Sequence, residues 1–298
     1  MRFLFALLAG GVLSTSVAAK DAAPPFAAEL PFRDCDGLIC IDVALDGGKP
    51  RTLMLDTGNA NSTLLSEVAR ELNWKLDPAM RGSEEVPGIF RGGEHRVALG
   101  ALQSKADFFV FDRALLGEHR PPVDGSIAYD FFKDRRLEID YPRHRLRISN
   151  VLTIAAPERD EGTGSLKMIG FGERGPATLV ASGFTLDGKP LRARIDTVFT
   201  GTLLVYDGAL GRLGLAKSGK PEFFAYTDAG VNLLTAPAPK IAFDGRALAS
   251  KSLYFPVDDG PLRQPDGLFD ATAGNALFAH SVVTLDFHAM TMQVKPAK

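Results

Sequence analysis

The sequence has no block of charge of one sign. Its 298 residues include 34 Lys and Arg and 36 Asp and Glu, which gives a net charge of -2. Nucleic acids and anionic membrane surfaces attract proteins through clusters of positive charge. We therefore expect neither of them as the main partner. The 45% of hydrophobic residues are ample for a packed core.

Cysteine and histidine are scarce. Five scattered histidines and the cysteines Cys35 and Cys40 do not supply the four clustered ligands of a structural zinc site, so we expect no metal and no cofactor. The pair Asp36-Gly37, between the cysteines, is typical of a tight turn, across which the two thiols can meet. In an oxidising compartment they would form a disulfide; two free thiols are the alternative.

Long apolar runs are also absent beyond the first residues, where a basic Arg2 precedes the apolar stretch from Phe3 to Leu13 and the small residues Val17-Ala18-Ala19. This order is typical of a secretory signal peptide over residues 1–19. The stretch is too short for a comfortable membrane span, although an uncleaved anchor is the alternative. We therefore expect a periplasmic or secreted protein without stable membrane insertion.

The remaining chain contains an internal repeat. The segment "LDGGKPRTLMLDTGNANSTLL" from Leu45 resembles "LDGKPLRARIDTVFTGTLLV" from Leu186, and the aspartates Asp56 and Asp196 are 140 residues apart. Farther along, "DFFKDRRLEIDYPRHRLRI" matches "ALFAHSVVTLDFHAMTMQV" at an offset of 146. Two matched blocks in the same order indicate a duplication, with a few residues inserted in the second copy.

Each copy has mostly strand patterns, such as "LICIDVAL" and "VVTLDF", separated by Gly, Pro and Asp turns. Two short helices are predicted, in "LLSEVARELNW" and "YDGALGRLGL", and the segments "IAYDFFKD" and "NALFAHS" precede the closing hairpins. The polar segment 149–165 is predicted to be a linker. We therefore expect a mainly β chain with a first copy over residues 20–157 and a second copy over 158–298.

The two Asp-Thr elements resemble those of the retropepsin and pepsin clan of aspartic proteases. Their arrangement in tandem is similar to that of bacterial exported proteins that carry two such domains in one chain. The resemblance covers most of residues 30–150 and, more loosely, 166–297. It implies two β-barrel lobes with an active-site cleft between them. It also implies that Asp56 and Asp196 form a catalytic pair, that Thr57 and Thr197 join the lobes, and that Gly58 permits the turn holding Asp56 exposed at the cleft. We expect the segment Pro87 to Leu99, with its glycines, to be a hairpin flap.

The sequence departs from this family pattern at several positions. The second copy has Val198 where the first has Gly58, and a positive φ there would strain a β-branched residue. The usual hydroxyl residue after the glycine is replaced by Asn59 and Phe199, which would remove a donor to each acid. Two further departures lie in the later element: Ala128 stands where the second copy has Gly274, and Asp130 becomes Ala276. Asp140 and Asp286 recur, and we interpret both as turn or strand-end acids.

Three functions fit this sequence. The first is a monomeric, exported aspartic endopeptidase that hydrolyses a peptide or protein substrate. The second is a catalytically impaired relative that binds peptide or another envelope ligand. The third is a structural β protein in which the Asp-Thr elements only join the lobes. Val198 leaves the competence of the second copy open.

Overall fold

The computed structural model of the protein describes residues 26–81, 83–116, 122–150, 162–170, 177–224, 231–257 and 267–297. The predicted signal peptide (1–19) and the predicted boundary near residue 158 lie outside the described residues. The described chain is mainly β, which confirms the predicted class.

The first copy contains eleven labelled strands: β1 (Ala28–Pro31), β2 (Arg33–Cys35), β3 (Leu38–Leu45), β4 (Pro50–Leu55), β5 (Ser62–Leu65), β6 (Asp77–Arg81), β7 (Glu84–Leu99), β8 (Leu102–Phe111), β9 (Gly125–Ile127), β10 (Arg135–Asp140) and β11 (Arg145–Asn150). The helices are α1 (Ser66–Glu71), α2 (Tyr129–Phe132) and a 3-10 helix at Arg113–Leu116.

The second copy contains β12 (Thr163–Gly170), β13 (Ala177–Leu186), β14 (Lys189–Ile195), β15 (Leu203–Val205), β16 (Lys220–Phe224), β17 (Val231–Pro237), β18 (Ile241–Phe243), β19 (Arg246–Leu248), β20 (Ser252–Pro256), β21 (Ala271–Ala273), β22 (Ser281–Asp286) and β23 (Thr291–Pro296). Its helices are α3 (Asp207–Leu213) and a 3-10 helix at Asn275–Phe278. Both predicted helices are therefore present, and the two segments before the closing hairpins also contain a short helix.

The first sheet has eight strands in the order β2-β3-β4-β9-β5-β8-β7-β6. A further pairing between β3 and β7 joins Ala44 to Ala98 and closes six of these strands into a ring. Closure removes exposed strand edges and encloses a core. Apolar side chains such as Phe108 and Leu53 fill that core.

The other strands form one fifteen-stranded sheet. The six strands at one end of this sheet, in the order β1-β11-β10-β22-β23-β12, come from both copies. Strand β10 pairs antiparallel with β22, with Glu138 opposite Thr284, Leu137 opposite Leu285 and Ile139 opposite Val283. The repeat aligns Leu137 with Val283, Glu138 with Thr284 and Ile139 with Leu285. Glu138 therefore lies opposite its own equivalent, and a pseudo-twofold axis that relates the two copies passes through the Glu138–Thr284 pair.

Matching turns also repeat. The Asp-Gly pairs between β3 and β4 and between β13 and β14 have positive φ at both residues: 49° and 76° at Asp46 and Gly47, and 47° and 77° at Asp187 and Gly188. These values suit the tight turns that match the strand twist of hairpins. Each turn directs a strand, β4 or β14, toward its Asp-Thr element.

Two sequence-based expectations were wrong. The segment Pro87 to Leu99 is not a hairpin: it lies within the single strand β7, which pairs antiparallel with β6, with Arg81 opposite Glu84. Glycine at 92 sits at a bulge, where the register with β8 shifts between Arg91 and Gly93. The predicted linker is strand at both ends, because β11 runs to Asn150 and β12 begins at Thr163.

Candidate active site

The two motif aspartates follow equivalent strands. Asp56 comes directly after β4, and its N–H donates to the carbonyl of Ile127 at the end of the parallel strand β9, at 2.9 Å. Asp196 comes directly after β14, and its N–H donates to the carbonyl of Ala273 at the end of the parallel strand β21, at 3.0 Å. The apolar run before each aspartate is therefore a buried strand that ends at the carboxylate.

The threonines connect the two elements in a symmetrical network. The N–H of Thr57 donates to Oγ1 of Thr197 at 3.1 Å, and the N–H of Thr197 donates to Oγ1 of Thr57 at 3.2 Å. Each hydroxyl in turn donates to a carbonyl of the opposite copy, Thr57 to Ile195 at 3.0 Å and Thr197 to Leu55 at 2.6 Å. Four buried hydrogen bonds thus hold the strand ends together, each contributing about 1 kcal/mol.

The carboxylates lie close together because Gly58 has no side chain. A Cβ at Gly58 would lie 2.6 Å from Cγ of Asp196 and 2.7 and 2.8 Å from its oxygens. Neither Gly58 nor Val198 has a positive φ. The expected reason for glycine, a special turn conformation, was therefore wrong, and the reason is space. Asp56 is also buried, at 2% exposure, and not exposed as expected.

One oxygen of each carboxylate accepts an N–H from its own turn. Gly58 donates to Oδ1 of Asp56 at 3.0 Å, and Val198 donates to Oδ1 of Asp196 at 2.9 Å. Replacement of glycine by valine therefore leaves this hydrogen bond intact. The concern that a valine would strain the turn does not apply, since Val198 keeps an ordinary φ.

The other oxygen of each carboxylate has a different donor in each copy. The amide of Asn59 donates to Oδ2 of Asp56 at 2.6 Å, so the expected loss of a donor at this position was wrong. Phe199 has no polar side-chain atom, and the guanidinium of Arg194 donates to Oδ2 of Asp196 instead. Arg194 replaces Met54 of the first copy, two residues before the aspartate.

Sequence reasoning missed Arg194, although a charged residue in the run before Asp196 was visible. It also missed Thr178, whose hydroxyl donates to the carbonyl of Gly58 at 2.7 Å. No local pattern marks Thr178, because it lies on β13, 120 residues from its partner.

Val198 packs against the first copy. It contacts a small buried cluster made of Leu38, Cys40 and Val123, with Cys35 and Met54 beside it. The predicted disulfide between Cys35 and Cys40 is confirmed, with a Cα–Cα distance of 6.0 Å. The disulfide loop therefore forms the surface on which the second motif turn rests.

Asn275 ties the same loop to the second motif. Its amide donates to the carbonyl of Gly37 at 2.8 Å and to the carbonyl of Thr197 at 2.6 Å, and its Oδ1 accepts from the hydroxyl of Tyr141 at 3.0 Å. Burial raises the pKa of Tyr141 above its usual range, so that hydroxyl stays protonated. These contacts fix the second motif turn against the disulfide loop.

The environment favours a proton on Asp56. Burial and the negative charge of Asp196 raise the pKa of Asp56 to about 7, although the amide of Asn59, the charge of Arg194 and the N–H of Gly58 oppose the shift. Two like charges this close are costly when both are ionised. The carboxyl of Asp56 can therefore keep its proton up to about neutral pH.

Three other acids noted in the sequence, Asp130, Asp140 and Asp286, serve the scaffold. Asp130 accepts hydrogen bonds from the backbone and hydroxyl of Ser62 and from the N–H of Asp107. Asp140 accepts from the N–H of Arg143, and Asp286 accepts from the N–H groups of residues 288 and 289. Asp140 and Asp286 thus bind the turns that follow them, in line with their interpretation as turn acids.

Among the described residues no group of three or more His, Cys, Asp or Glu is placed to hold a metal ion. Within that same part of the chain, no helix is long and apolar enough to cross a membrane.

Comparison with known proteins gives a structural likeness. No protein-family model matches the chain, and no curated protein matches it by sequence. Among solved structures, it is similar to basic 7S globulin from soybean, with a TM-score of 0.52 and 9% identity over 92% of this chain and 96% of that one. That globulin has an aspartic-protease-like fold. The fold of this chain is protease-like. At 9% identity this likeness shows the fold only and says nothing about activity. The name of the similar protein is that of a globulin.

Proposed function

We propose that the chain is an exported, monomeric aspartic-type endopeptidase, with Asp56 and Asp196 as its catalytic pair and a peptide or protein segment as its substrate. The observation that supports this proposal is the juxtaposition of the two carboxylates across the threonine network, with Cγ of Asp196 2.6 Å from a Cβ position at Gly58. Both halves of the pair come from one chain, so a homodimer is not needed.

The proposed reaction needs one carboxylate and one carboxylic acid. The carboxylate takes a proton from a water that attacks the peptide carbonyl, and the acid donates its proton to the carbonyl oxygen. In the second step the C–N bond breaks, a proton moves to the leaving nitrogen, and the pair returns to its starting state. The elevated pKa of Asp56, about 7, is suited to the acid form.

A peptide-binding relative without turnover is the second candidate, and one observation favours it. The guanidinium of Arg194 forms an ion pair with Asp196, so one of the two motif carboxylates already has a charged partner within the protein. A bound peptide would still exclude water from the site of such a protein, but hydrolysis of that peptide would be slow.

The test is cleavage of an unfolded protein and a peptide library from pH 3 to 8 by the wild type, Asp56→Asn and Asp196→Asn. We expect the cleavage rate of each variant to fall about a thousandfold or more. When two residues act as one catalytic unit, loss of either one removes most of the rate enhancement. Asp42→Asn, an exposed strand acid paired with Arg33, is the control and should retain activity. Peptide binding without cleavage by the wild type would favour the second candidate. Cleavage that survives in both variants would contradict the proposal.

A further inference from the structure

The two aspartates have unequal surroundings although their strands and turns are equivalent. Asp56 accepts a hydrogen bond from a neutral amide, that of Asn59, on the residue after its turn. Asp196 accepts one from a positive guanidinium, that of Arg194, on the strand before its turn. The difference comes from two substitutions between the copies, Met54 to Arg194 and Asn59 to Phe199.

The position of Arg194 follows from the strand. Side chains alternate along β14, so Leu191, Ala193 and Ile195 enter the core, whereas Arg194 lies on the other face with Asp196 two residues on. The Arg194 side chain is 21% exposed and that of Asp196 8% exposed, so solvent screens the contact only weakly. Opposite Arg194 on β13 is Val180, a buried apolar residue.

We propose that Arg194 makes the catalytic pair unequal by holding Asp196 as the ionised member and leaving Asp56 as the member with the proton. Arg194 is a positioning residue, since it acts through Asp196. The assignment of acid and base roles rests on the proposed function, whereas the location of the proton does not.

The charges around Asp56 support this assignment. The charged groups that act on Asp56 are Asp196, which raises its pKa to about 7 together with burial, and Arg194, which opposes the rise. A guanidinium in contact with Asp196 stabilises the negative charge there. A proton shared by the pair is then more stable on the carboxyl that lacks a cationic partner, and this is Asp56.

The consequence for hydrolysis is a fixed direction of proton movement. Asp196 accepts the proton of the attacking water as the new C–O bond forms, while Asp56 donates its proton to the carbonyl oxygen. The product of this step is a tetrahedral intermediate with two hydroxyl groups on the former carbonyl carbon. When it breaks down, the proton on Asp196 passes to the leaving nitrogen as the C–N bond breaks, and one of the hydroxyl groups returns a proton to Asp56. Both carboxyls then regain their initial states, so atoms and protons balance over one turnover.

The experiment is carbon NMR of the intact chain labelled at the aspartate carboxyl carbon, titrated from pH 3 to 9. Signals of the pair are assigned by their disappearance in Asp56→Asn and Asp196→Asn. We expect the step near neutral pH to move the Asp56 carbon strongly and the Asp196 carbon only slightly. A neutral step on Asp196, or equal movement of both carbons, would overturn the proposal.

Three variants test the role of the arginine. Arg194→Met introduces the residue that the first copy has at the equivalent position, so it suits the strand; Arg194→Gln serves if that variant does not fold. Without the positive charge, we expect the neutral step to move to higher pH and to spread over both carbons, while Arg194→Lys keeps the step on Asp56. An unchanged titration in Arg194→Met would show that the arginine does not control the proton. Because turnover is not needed, a chain without cleavage but with a one-sided titration would refute only the proposed function.

Discussion

The turn after Asp56 and the turn after Asp196 have the same backbone plan and different contents. Both have a strand, an aspartate, a threonine and an N–H directed to Oδ1 of the aspartate. In the first, Gly58 leaves room for the opposite carboxylate. In the second, Val198 fills a contact with the disulfide loop.

This difference shows that the third motif position has two separate tasks. One is to supply an N–H, which any residue except proline can do. The other is to leave space for a neighbouring carboxylate, which only glycine does at position 58. At position 198 the side chain of valine packs the second turn against the first copy. Four predictions test this comparison.

The largest difference is expected when the same substitution is made at both aspartates. The pKa of Asp56 is raised from 3.8 to about 7, so the folded state binds this proton more tightly than the unfolded state. The stability linked to this proton is fully present below about pH 4, and it is lost as the pH rises to about 7. Asp56→Asn removes this loss. We expect it to be more stable than the wild type by about 1.4 kcal/mol per pH unit over that window, up to about 4 kcal/mol.

Asp196→Asn should act in the opposite direction, by about 1 to 2 kcal/mol, because Arg194 loses the carboxylate that compensates its charge. Urea unfolding at pH 4 and pH 8 measures both effects. Equal effects of the two substitutions would mean that the copies hold their acids in equivalent surroundings.

The next prediction concerns the closing elements, where Ala128 and Gly274 are equivalent. A Cβ at Gly274 would lie 2.2 Å from the carbonyl oxygen of Phe199 and 2.6 Å from that of Gly201, both backbone atoms. We expect Gly274→Ala to lose about 3 kcal/mol of stability. Ala128→Gly, the matched change, should cost about 1 kcal/mol. Thermal unfolding of both variants decides this, and a harmless Gly274→Ala would contradict the close approach of the Phe199 carbonyl oxygen to Gly274.

A third prediction separates space from backbone conformation. Gly58→Ala places a methyl group against the carboxylate of Asp196 and should reduce cleavage about a hundredfold by displacing it. Gly208→Ala is the control, since nothing lies within 4 Å of its Cβ position. Initial rates at the pH optimum are the measurement. Full activity in Gly58→Ala would mean that the close approach to Asp196 is not required.

The smallest effect is expected at Val198. Val198→Gly restores an Asp-Thr-Gly triplet, but it removes contacts with Leu38, Cys40 and Val123. We expect a loss of about 2 kcal/mol of stability and no gain in cleavage. Denaturation midpoints and peptide cleavage measured side by side test this. A large gain in cleavage would show that the valine impairs the second copy.

The duplication was predictable because matching residues keep their order and spacing. Strand β3 coincides with the predicted segment "LICIDVAL", and the Asp-Gly turns could be predicted from local chemistry alone. Closure of the first sheet could not, since β3 and β7 are joined by pairing between residues distant in sequence. The flap was misplaced because the glycines at 92 and 93 form a bulge, which glycine favours as much as a turn.

At the site, residue types were predictable and side-chain directions were not. The pair of aspartates and the threonines follow from the repeated motif. Whether Asn59 points at Asp56, or Arg194 at Asp196, depends on three-dimensional placement that no spacing encodes. Val198 could be judged only with its neighbours known, because these come from residues more than 70 positions away.

The most direct test of a single site shared by both copies is calorimetric binding of pepstatin to the intact chain at pH 5. The account predicts one inhibitor per chain and loss of binding in both Asp56→Asn and Asp196→Asn, with binding retained in Asp42→Asn. Two inhibitors per chain, or unchanged binding in either aspartate variant, would contradict a site formed jointly by the two copies.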